Sequence, residues 1–132
     1  RLLKADGDSL IQAITIKDQR YSHAIKSVDF IQKYIFPGSC IPSLTTIQNS
    51  LTKSTDLVIN DVRDIGRHYA RTLAHWRENF IKNKKNIRKL GFDEEFLRMW
   101  LFYFAYCEGG FEEKAISDVH LHITKPGYRN II

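Results

Sequence analysis

The sequence lacks the glycine-rich turn by which many enzymes hold a nucleotide cofactor. Its seven glycines, at positions 7, 38, 66, 91, 109, 110 and 127, form no G-x-G-x-x-G pattern. Cysteine is scarce as well. Cys40 and Cys107 are too few for a disulfide framework, which fits a reducing compartment, and we expect both to be buried free thiols.

Other absences exclude further classes of protein. The chain has no internal repeat, no low-complexity stretch and no Pro-, Gly- or Ser-rich linker. Its most apolar stretch, FLRMWLFYFAY at 96–106, would rise only about 16 Å as a helix, against roughly 30 Å of hydrocarbon in a bilayer. This stretch is therefore expected to be buried in protein or to wall an apolar cavity. The ordinary composition, 43% hydrophobic and 27% charged, predicts one compact globular unit.

The hydrophobic pattern predicts strands and helices that alternate as in an α/β domain. The apolar run at 9–16 predicts a central strand buried on both faces. Two further strands are predicted at 55–65 and 119–124. The predicted helices cover residues 21–34, 44–51, 67–90 and 94–107.

Local signals mark the ends of these helices. Pro37 stops the first helix, and Ser43 caps the second. Gly91 ends the third, and Asp93 caps the fourth, with acidic residues following in its first turn.

Positive charge is concentrated at one place. The net charge is +5, and five basic residues fall within the eight positions 82–89: Lys82, Lys84, Lys85, Arg88 and Lys89. One interpretation is a solvated helix end whose cations complement the helix dipole. Another is attraction to anionic phospholipid headgroups. Nucleic acid binding is the weakest interpretation, because the run has no interleaved aromatic residues and matches no binding motif.

Three motifs in order carry a resemblance to a known family. They are YIFPGSCIPS at 34–43, HYARTLAHW at 68–76 and CEGGF at 107–111. In these the chain resembles the C-terminal part of the cyclopropane-fatty-acyl-phospholipid synthases, which include the mycolic acid cyclopropane synthases and are S-adenosylmethionine-dependent methyltransferases. The resemblance implies the C-terminal half of one Rossmann-like class I methyltransferase domain over residues 1–132, an incomplete domain with about three strands and long helices.

The opening residues extend the resemblance. RLLKADG is similar to the LLKPGG-like turn that precedes the fifth strand of methyltransferase folds, and no initiator Met is present. We therefore expect a fragment of a longer protein, with the cofactor-cradling glycine loop upstream. The fragment alone is expected to bind no S-adenosylmethionine and to be inactive.

The resemblance also implies a reaction and a site. In the family, a methylene is added across the cis double bond of a phospholipid acyl chain, and a buried bicarbonate is held by a cysteine, a glutamate, a histidine and a tyrosine. The HYARTL motif places that tyrosine at Tyr69, where a phenol can donate a hydrogen bond to the anion. The alternative is that Tyr69 is a core tyrosine. The cysteine and glutamate are expected upstream, so neither Cys40 nor Cys107 corresponds to them.

The family pattern is broken at the histidine. The family strand often reads LLHTI, and this one reads LIQAI, which puts Gln12 at the histidine position. Glutamine can donate an N–H to an anion but cannot relay a proton at neutral pH. Gln12 is therefore either a subfamily variant of the catalytic site or the mark of a relative that methylates without closing a ring.

Four more residues are expected to line the acyl chain by resemblance: Tyr34, Phe36, Trp76 and Glu108. For Glu108, a structural role beside two glycines is an equal alternative. His120 and His122 lie two apart on a strand and so share a face, but no third metal ligand has a convincing spacing, and packing is the favoured interpretation.

These expectations leave three candidate functions. The first is an S-adenosylmethionine- and bicarbonate-dependent cyclopropane synthase, the second a lipid methyltransferase without ring closure, and the third a basic lipid-binding domain without catalysis. The expected partners are phospholipid acyl chains at the inner face of the cytoplasmic membrane and further copies of the chain, with no nucleic acid.

Overall fold

The computed structural model describes residues 2–129. The chain runs β1 (Asp8–Ile16), α1 (Asp18–Ala24), a π-helical turn (Ile31–Ile35), α2 (Leu44–Ser54), β2 (Val58–Asp64), α3 (Gly66–Lys82), α4 (Lys84–Lys89), α5 (Glu94–Glu112) and β3 (Ile116–Thr124). It folds as two compact units. The sheet unit comprises the residues up to 65 and from 116 onward, and the helical unit is Gly66–Ala115. The assignment of residues 1–132 to one methyltransferase domain stays a prediction, and residues 1 and 130–132 lie outside the described part.

The sheet has the strand order β1-β3-β2, and both pairings are antiparallel. All three predicted strands are confirmed, but the prediction that β1 is central and buried on both faces is wrong among the described residues. The centre is β3, and β1 is an edge whose Leu10 and Ile11 are 66% and 45% exposed. An apolar run of this kind is typical of a strand that has a neighbouring strand on each side. Among the described residues, β1 has a neighbouring strand on one side only.

The core of the sheet unit lies on one face of β3. Val119, Leu121 and Ile123 alternate along the strand, so their side chains point to the same side, and all three are buried. Four partly buried side chains from α2, β2 and the residue before β2 pack against them: Ile47, Leu51, Leu57 and Ile59. Burying each such side chain stabilises the fold by roughly 1.5–3 kcal/mol.

The imperfect alternation of residues 55–65 has a structural cause. The register of β2 against β3 shifts between Ile59 and Asp61, which leaves Asn60 as a bulge. A bulge adds one residue to one strand, so the side-chain pattern changes phase at that point. Ile59 therefore faces the core, while Asp61 and Arg63 pair with His122 and His120.

The helix predicted at 21–34 is interrupted. It ends at Ala24, where the Ser27 hydroxyl donates to the carbonyls of the preceding turn. The chain restarts as a π-helical turn at Ile31, after a reciprocal pair of bonds: Gln32 N–H donates to Asp29 Oδ1 at 2.8 Å, and Asp29 N–H donates to Gln32 Oε1 at 3.1 Å. Such a capping box starts a new turn, which the hydrophobic periodicity alone did not reveal.

The helical unit is an antiparallel pair, α3 and α5, joined through α4. Tyr69 packs on Phe111 near one end, with ring centroids 5.0 Å apart, and Phe80 on Phe104 near the other, at 5.5 Å. The predicted helix at 67–90 is broken at Asn83 into α3 and α4. Its core-facing residues are Ala70 and Leu73, both 1% exposed.

The predicted caps are confirmed. Ser43 Oγ accepts from Thr46 N–H at 3.2 Å, and Asp93 Oδ1 accepts from Phe96 N–H at 2.8 Å. Gly91 follows α4 with φ of +94°, a left-handed conformation that glycine adopts without strain. Among residues 2–129, none of the helices combines the length and the apolar character needed to cross a bilayer.

Candidate active site

Gln12 lies in the middle of β1, directly opposite His120 in the register. Ile14, two residues on, is opposite Asp118, so Gln12 and Asp118 are diagonal neighbours on one face of the sheet. A glutamine side chain is long enough to bridge that diagonal. Its Nε2 donates to Asp118 Oδ2 at 2.6 Å.

Asp118 was not predicted from the sequence. Its side chain is 0% exposed, and its second carboxylate oxygen, Oδ1, is buried without a hydrogen-bond partner among the described residues. Its backbone carbonyl accepts from Ile65 N–H at 2.8 Å, which fixes the strand at this point. The available signal was a charged residue at the start of an otherwise apolar and histidine-containing strand, ISDVHLHIT.

The two histidines of β3 share the face of Gln12, and His122 has local partners. His122 Nε2 lies 2.8 Å from Asp8 Oδ2, and its ring meets that of Tyr128 edge-on at 5.4 Å. No group of three potential ligands for a metal ion occurs in the described part of the chain. Packing and hydrogen bonding therefore explain the position of His122.

The loop at 34–43 is held in place by backbone contacts. Pro37 and Gly38 form a turn closed by Ser39 N–H donating to Phe36 O at 3.0 Å, with Gly38 at φ of +81°. Pro42 O accepts from Ile16 N–H at 3.0 Å, which ties the loop to the end of β1. The chain therefore turns sharply just after the π-helical turn, at the proline that was predicted to stop the first helix.

The side chains of this loop are largely accessible. Tyr34 and Phe36 are 55% and 52% exposed, and Tyr34 packs on Phe30 with centroids 5.4 Å apart. Cys40 is exposed and Cys107 half-buried, and neither forms a disulfide. The prediction of two buried thiols is therefore wrong for Cys40, which is exposed, and Cys107 is only partly buried.

In the helical unit, Tyr69 lies in the first turn of α3. Its ring is half-buried and meets Trp76 edge-on at 6.1 Å in addition to packing on Phe111. Tyr103 of α5 belongs to the same neighbourhood: burial raises its pKa to about 12, and electrostatic interactions with Cys107 and Tyr69 act in the same direction. Tyr103 therefore stays a neutral hydrogen-bonding phenol at physiological pH.

Glu108 forms an ion pair inside the helical unit. The guanidinium of Arg77 donates to both of its carboxylate oxygens, from Nε at 2.8 Å and from Nη2 at 3.2 Å. Trp76, which is 46% exposed, lies beside Arg77 in α3.

The predicted site residues fall in both units. Gln12, Tyr34 and Phe36 belong to the sheet unit, and Tyr69, Trp76 and Glu108 to the helical unit. Of these, the structure brings Tyr69 and Trp76 into contact. The predicted roles of all six in catalysis and acyl binding stay predictions.

The fold is that of part of a class I S-adenosylmethionine-dependent methyltransferase. The crystal structure of the mycolic acid cyclopropane synthase CmaA1 complexed with SAH and CTAB superposes with a TM-score of 0.81 at 26% identity. The match covers 95% of this chain and 46% of that one. The expected α/β architecture, with about three strands and long helices from an incomplete domain, is confirmed.

Residues 1–121 match the family described as Mycolic acid cyclopropane synthetase, and the chain belongs to this family. It is 42% identical over 127 residues to the tuberculostearic acid methyltransferase UfaA1 of Mycobacterium tuberculosis, covering 96% of this chain. It is 33% identical over 118 residues to the cyclopropane-fatty-acyl-phospholipid synthase of Escherichia coli K12, covering 89%. The chain spans 30% and 29% of the lengths of these two proteins.

Proposed function

We propose that the protein carrying this chain transfers the methyl group of S-adenosylmethionine to the carbon–carbon double bond of a lipid acyl chain. The observation that carries the proposal is the family match over residues 1–121. The names of the relatives support it, since they include both a tuberculostearic acid methyltransferase and a cyclopropane-fatty-acyl-phospholipid synthase.

S-adenosylmethionine supplies a methyl group made electrophilic by a sulfonium. When the alkene attacks that methyl, the carbon–sulfur bond breaks, the sulfur keeps the electron pair, and a carbocation forms on the acyl chain. Aromatic faces stabilise a nearby cation by about 0.5–2 kcal/mol each. The rings of Tyr69, Trp76 and Phe111 form a connected aromatic group. We propose that this aromatic group lines the site beside the cationic acyl chain. The hydroxyl of Tyr69 is then the hydrogen-bond donor of the site.

The fate of the cation decides the product. Loss of a proton from the added methyl closes a cyclopropane ring, and loss of a proton from the chain leaves a branched alkene. Gln12 favours methylation without ring closure, because ring closure requires a base that removes a proton from the added methyl, and the resemblance puts position 12 beside that base whereas the side chain here relays no proton. The 42% identity to a methyltransferase supports the same outcome. Cyclopropanation is the second candidate, favoured by the 33% identity to the Escherichia coli synthase.

The substrate is proposed to be an acyl chain of a phospholipid at the cytoplasmic face of a membrane. Support comes from the tip of the helical unit, where exposed Leu90 and Phe92 follow directly on the basic residues of 82–89. A surface that combines cations with exposed apolar side chains fits the headgroup region of an anionic bilayer.

The test is product analysis with the full-length protein. Incubation with S-adenosylmethionine bearing a deuterated methyl and with vesicles of cis-unsaturated phospholipid should yield labelled acyl chains and S-adenosylhomocysteine. Mass spectrometry and proton NMR then distinguish a branched chain from a ring, whose protons resonate far upfield. Label found only in water-soluble products would refute the lipid substrate. A ring-containing product would decide for the second candidate.

A further inference from the structure

The charges of the helical unit are divided between its two halves. Residues 66–92, which comprise α3, α4 and the turn that follows, carry eight arginines and lysines and one acidic residue. Residues 93–113, which comprise α5 and its two flanking residues, carry six acidic residues and one arginine. One half of this antiparallel pair of helices is therefore strongly basic, and the other is acidic.

The basic charge of α3 lies largely on the side of the helix that faces solvent. Ala70 and Leu73 point into the core of the unit and are both 1% exposed. On another side of α3, exposed residues recur three or four positions apart, as side chains on one face of a helix do. They are Arg67, Arg71, His75, Glu78 and Lys82. This solvent face of α3 carries three cations and a histidine against one carboxylate, over about 22 Å.

A surface of this kind fits a layer of anionic phospholipid headgroups. Basic residues are attracted to the negative surface potential of such a layer. Two apolar side chains, Trp76 and Ile81, lie on α3 beside the basic residues and are 46% and 44% exposed. An indole ring is well suited to the boundary between headgroups and hydrocarbon. Charge and apolar contact on α3 therefore favour the same partner.

Docking through the tip of the helical unit alone would leave Tyr69 far from the membrane. Tyr69 lies in the first turn of α3 and Lys82 at its end, so about 20 Å of helix separate them. The hydrocarbon of one leaflet is only about 15 Å deep, half of the bilayer core. With α3 upright on the membrane, an acyl chain whose headgroup stays at the surface would not bring its double bond to Tyr69. With α3 parallel to the surface, both ends of the helix lie at the headgroups.

We propose that the solvent face of α3 is the surface through which the protein docks on anionic phospholipid, with the helix parallel to the membrane. This inference rests on the lipid substrate of the proposed function. The basic residues of 82–89 then form one end of the docking face and not the whole of it. Repulsion between the acidic residues of α5 and the lipid phosphates disfavours the reverse orientation.

The first experiment maps this face on the full-length protein by carbethoxylation of histidines, followed by peptide mass spectrometry. His68 and His75 are exposed on α3, and His23, exposed on α1, is the control. Phosphatidylglycerol vesicles should slow the modification of His68 and His75 at least about threefold and leave His23 unchanged, whereas phosphatidylcholine vesicles should protect none of them. Equal reactivity of the α3 histidines with and without anionic vesicles would overturn the proposal.

Charge variants of the full-length protein provide the second experiment. Arg67→Gln combined with Arg71→Gln should weaken co-sedimentation with phosphatidylglycerol vesicles by about 30-fold at low salt. The matched control, Arg98→Gln combined with Lys53→Gln, removes the same charge from exposed positions on α5 and α2. Its binding should change by less than about threefold, because neither position belongs to the docking face. Equal losses in the two double variants would refute a role of α3.

The outcomes for docking and for the proposed function are distinguishable. Neither the histidine map nor co-sedimentation requires turnover. If no S-adenosylhomocysteine forms under any condition, methyl transfer is refuted, and the two measurements still decide about docking. Methyl transfer to phospholipid with unprotected α3 histidines would refute the docking face and leave the proposed function standing. Double-stranded DNA that protected these histidines as strongly as the vesicles do would also overturn the proposal, because the face would then bind polyanions in general.

Discussion

Arg77 of α3 and Glu108 of α5 are joined by a two-pronged ion pair, with N–O distances of 2.8 and 3.2 Å. Side-chain exposures of 34% and 24% leave the pair partly open to solvent, which limits its contribution. Both carboxylate oxygens of Glu108 accept hydrogen bonds from Arg77. The ion pair between α3 and α5 is therefore enough to explain why Glu108 lies where it does. Its predicted contact with an acyl chain requires a separate test.

The first prediction concerns this pair. Glu108→Ala should lower the free energy of unfolding by about 1 kcal/mol, because it leaves the Arg77 guanidinium half-buried without its partner. A double-mutant cycle with Arg77→Ala, followed by denaturant unfolding, measures the coupling directly. Glu112→Ala, an exposed carboxylate on α5, is the control and should change stability by less than about 0.5 kcal/mol. Unchanged stability together with lost methyl transfer would favour the acyl-lining role.

The second prediction concerns pH. Hydrogen bonds from Ser43 and Thr45 lower the pKa of Asp18 below its ordinary value of 3.8. Since the folded-state pKa lies below the unfolded one, the stabilisation is present above pH 3.8 and is lost as the pH falls through the folded value. Asp18→Asn should therefore lower the melting temperature at neutral pH, and the difference from wild type should shrink in acid. In a Ser43→Ala background this pH dependence should weaken.

The third prediction compares the same substitution, glycine to alanine, at two positions where we expect opposite effects on stability. Gly38→Ala should destabilise the protein by about 1 kcal/mol, because φ of +81° strains any side chain although the space around it is open. Gly109→Ala, within α5 and equally unobstructed, should instead stabilise by about 0.5–1 kcal/mol through helix propensity. Thermal unfolding of both variants checks the pair. Equal shifts would show that backbone conformation does not control stability at these positions.

The fourth prediction addresses self-association of the 132-residue chain. Leu10, Ile11 and Ile14 are exposed on β1, which pairs on one side only among the described residues. Such an apolar edge favours pairing with another copy of the chain, and a lysine substituted into the edge strand opposes that pairing. In sedimentation velocity, wild type should associate and Ile11→Lys should shift toward monomer. Ile25→Lys, the same change at an exposed position outside the sheet, should not, and a monomeric wild type would contradict the prediction.

The fifth prediction addresses the membrane. Replacing Lys84, Lys85 and Lys89 with Glu should weaken binding of the full-length protein to anionic phosphatidylserine vesicles by about 100-fold or more at low salt, since each basic residue near the surface contributes about 1 kcal/mol.

Co-sedimentation with vesicles measures this binding. The control makes the same charge change at three exposed lysines of the sheet unit, Lys17, Lys26 and Lys53, and should leave binding nearly intact. Wild-type binding should fall as salt rises, because surface electrostatics is screened. If the two triple variants lost vesicle binding equally, the net charge of the protein, and not the basic residues of 82–89, would be responsible for binding.

Local patterns predicted much of this fold. Ser43, Asp93 and Gly91 mark helix ends by chemistry confined to a few neighbouring residues, and all three were placed correctly. The position of β1 at an edge was not predictable in this way, because it depends on which strands pair. The break after Ala24 was missed since apolar spacing continued across it, while Ser27 and Asp29 redirected the backbone.

The candidate site was predictable only where it repeats a family motif. Tyr69 and Gln12 were found by their places in HYARTL and LIQAI. Asp118 was not, because a single aspartate in a strand usually faces solvent and its partner lies 106 positions away in sequence. Only the antiparallel register, which sets Ile14 against Asp118, makes the pairing visible.

The place of β3 at the centre of the sheet has a consequence for synthesis on the ribosome. Among the described residues, β1 and β2 pair only with β3, which follows both of them in sequence. On the ribosome these two pairings cannot form until residues 116–124 emerge, whereas the helices of Gly66–Ala115 make contacts local enough to form earlier. A ribosome stalled before residue 116 would hold β1 and β2 without the strand that pairs with both of them here, a state suited to capture by chaperones.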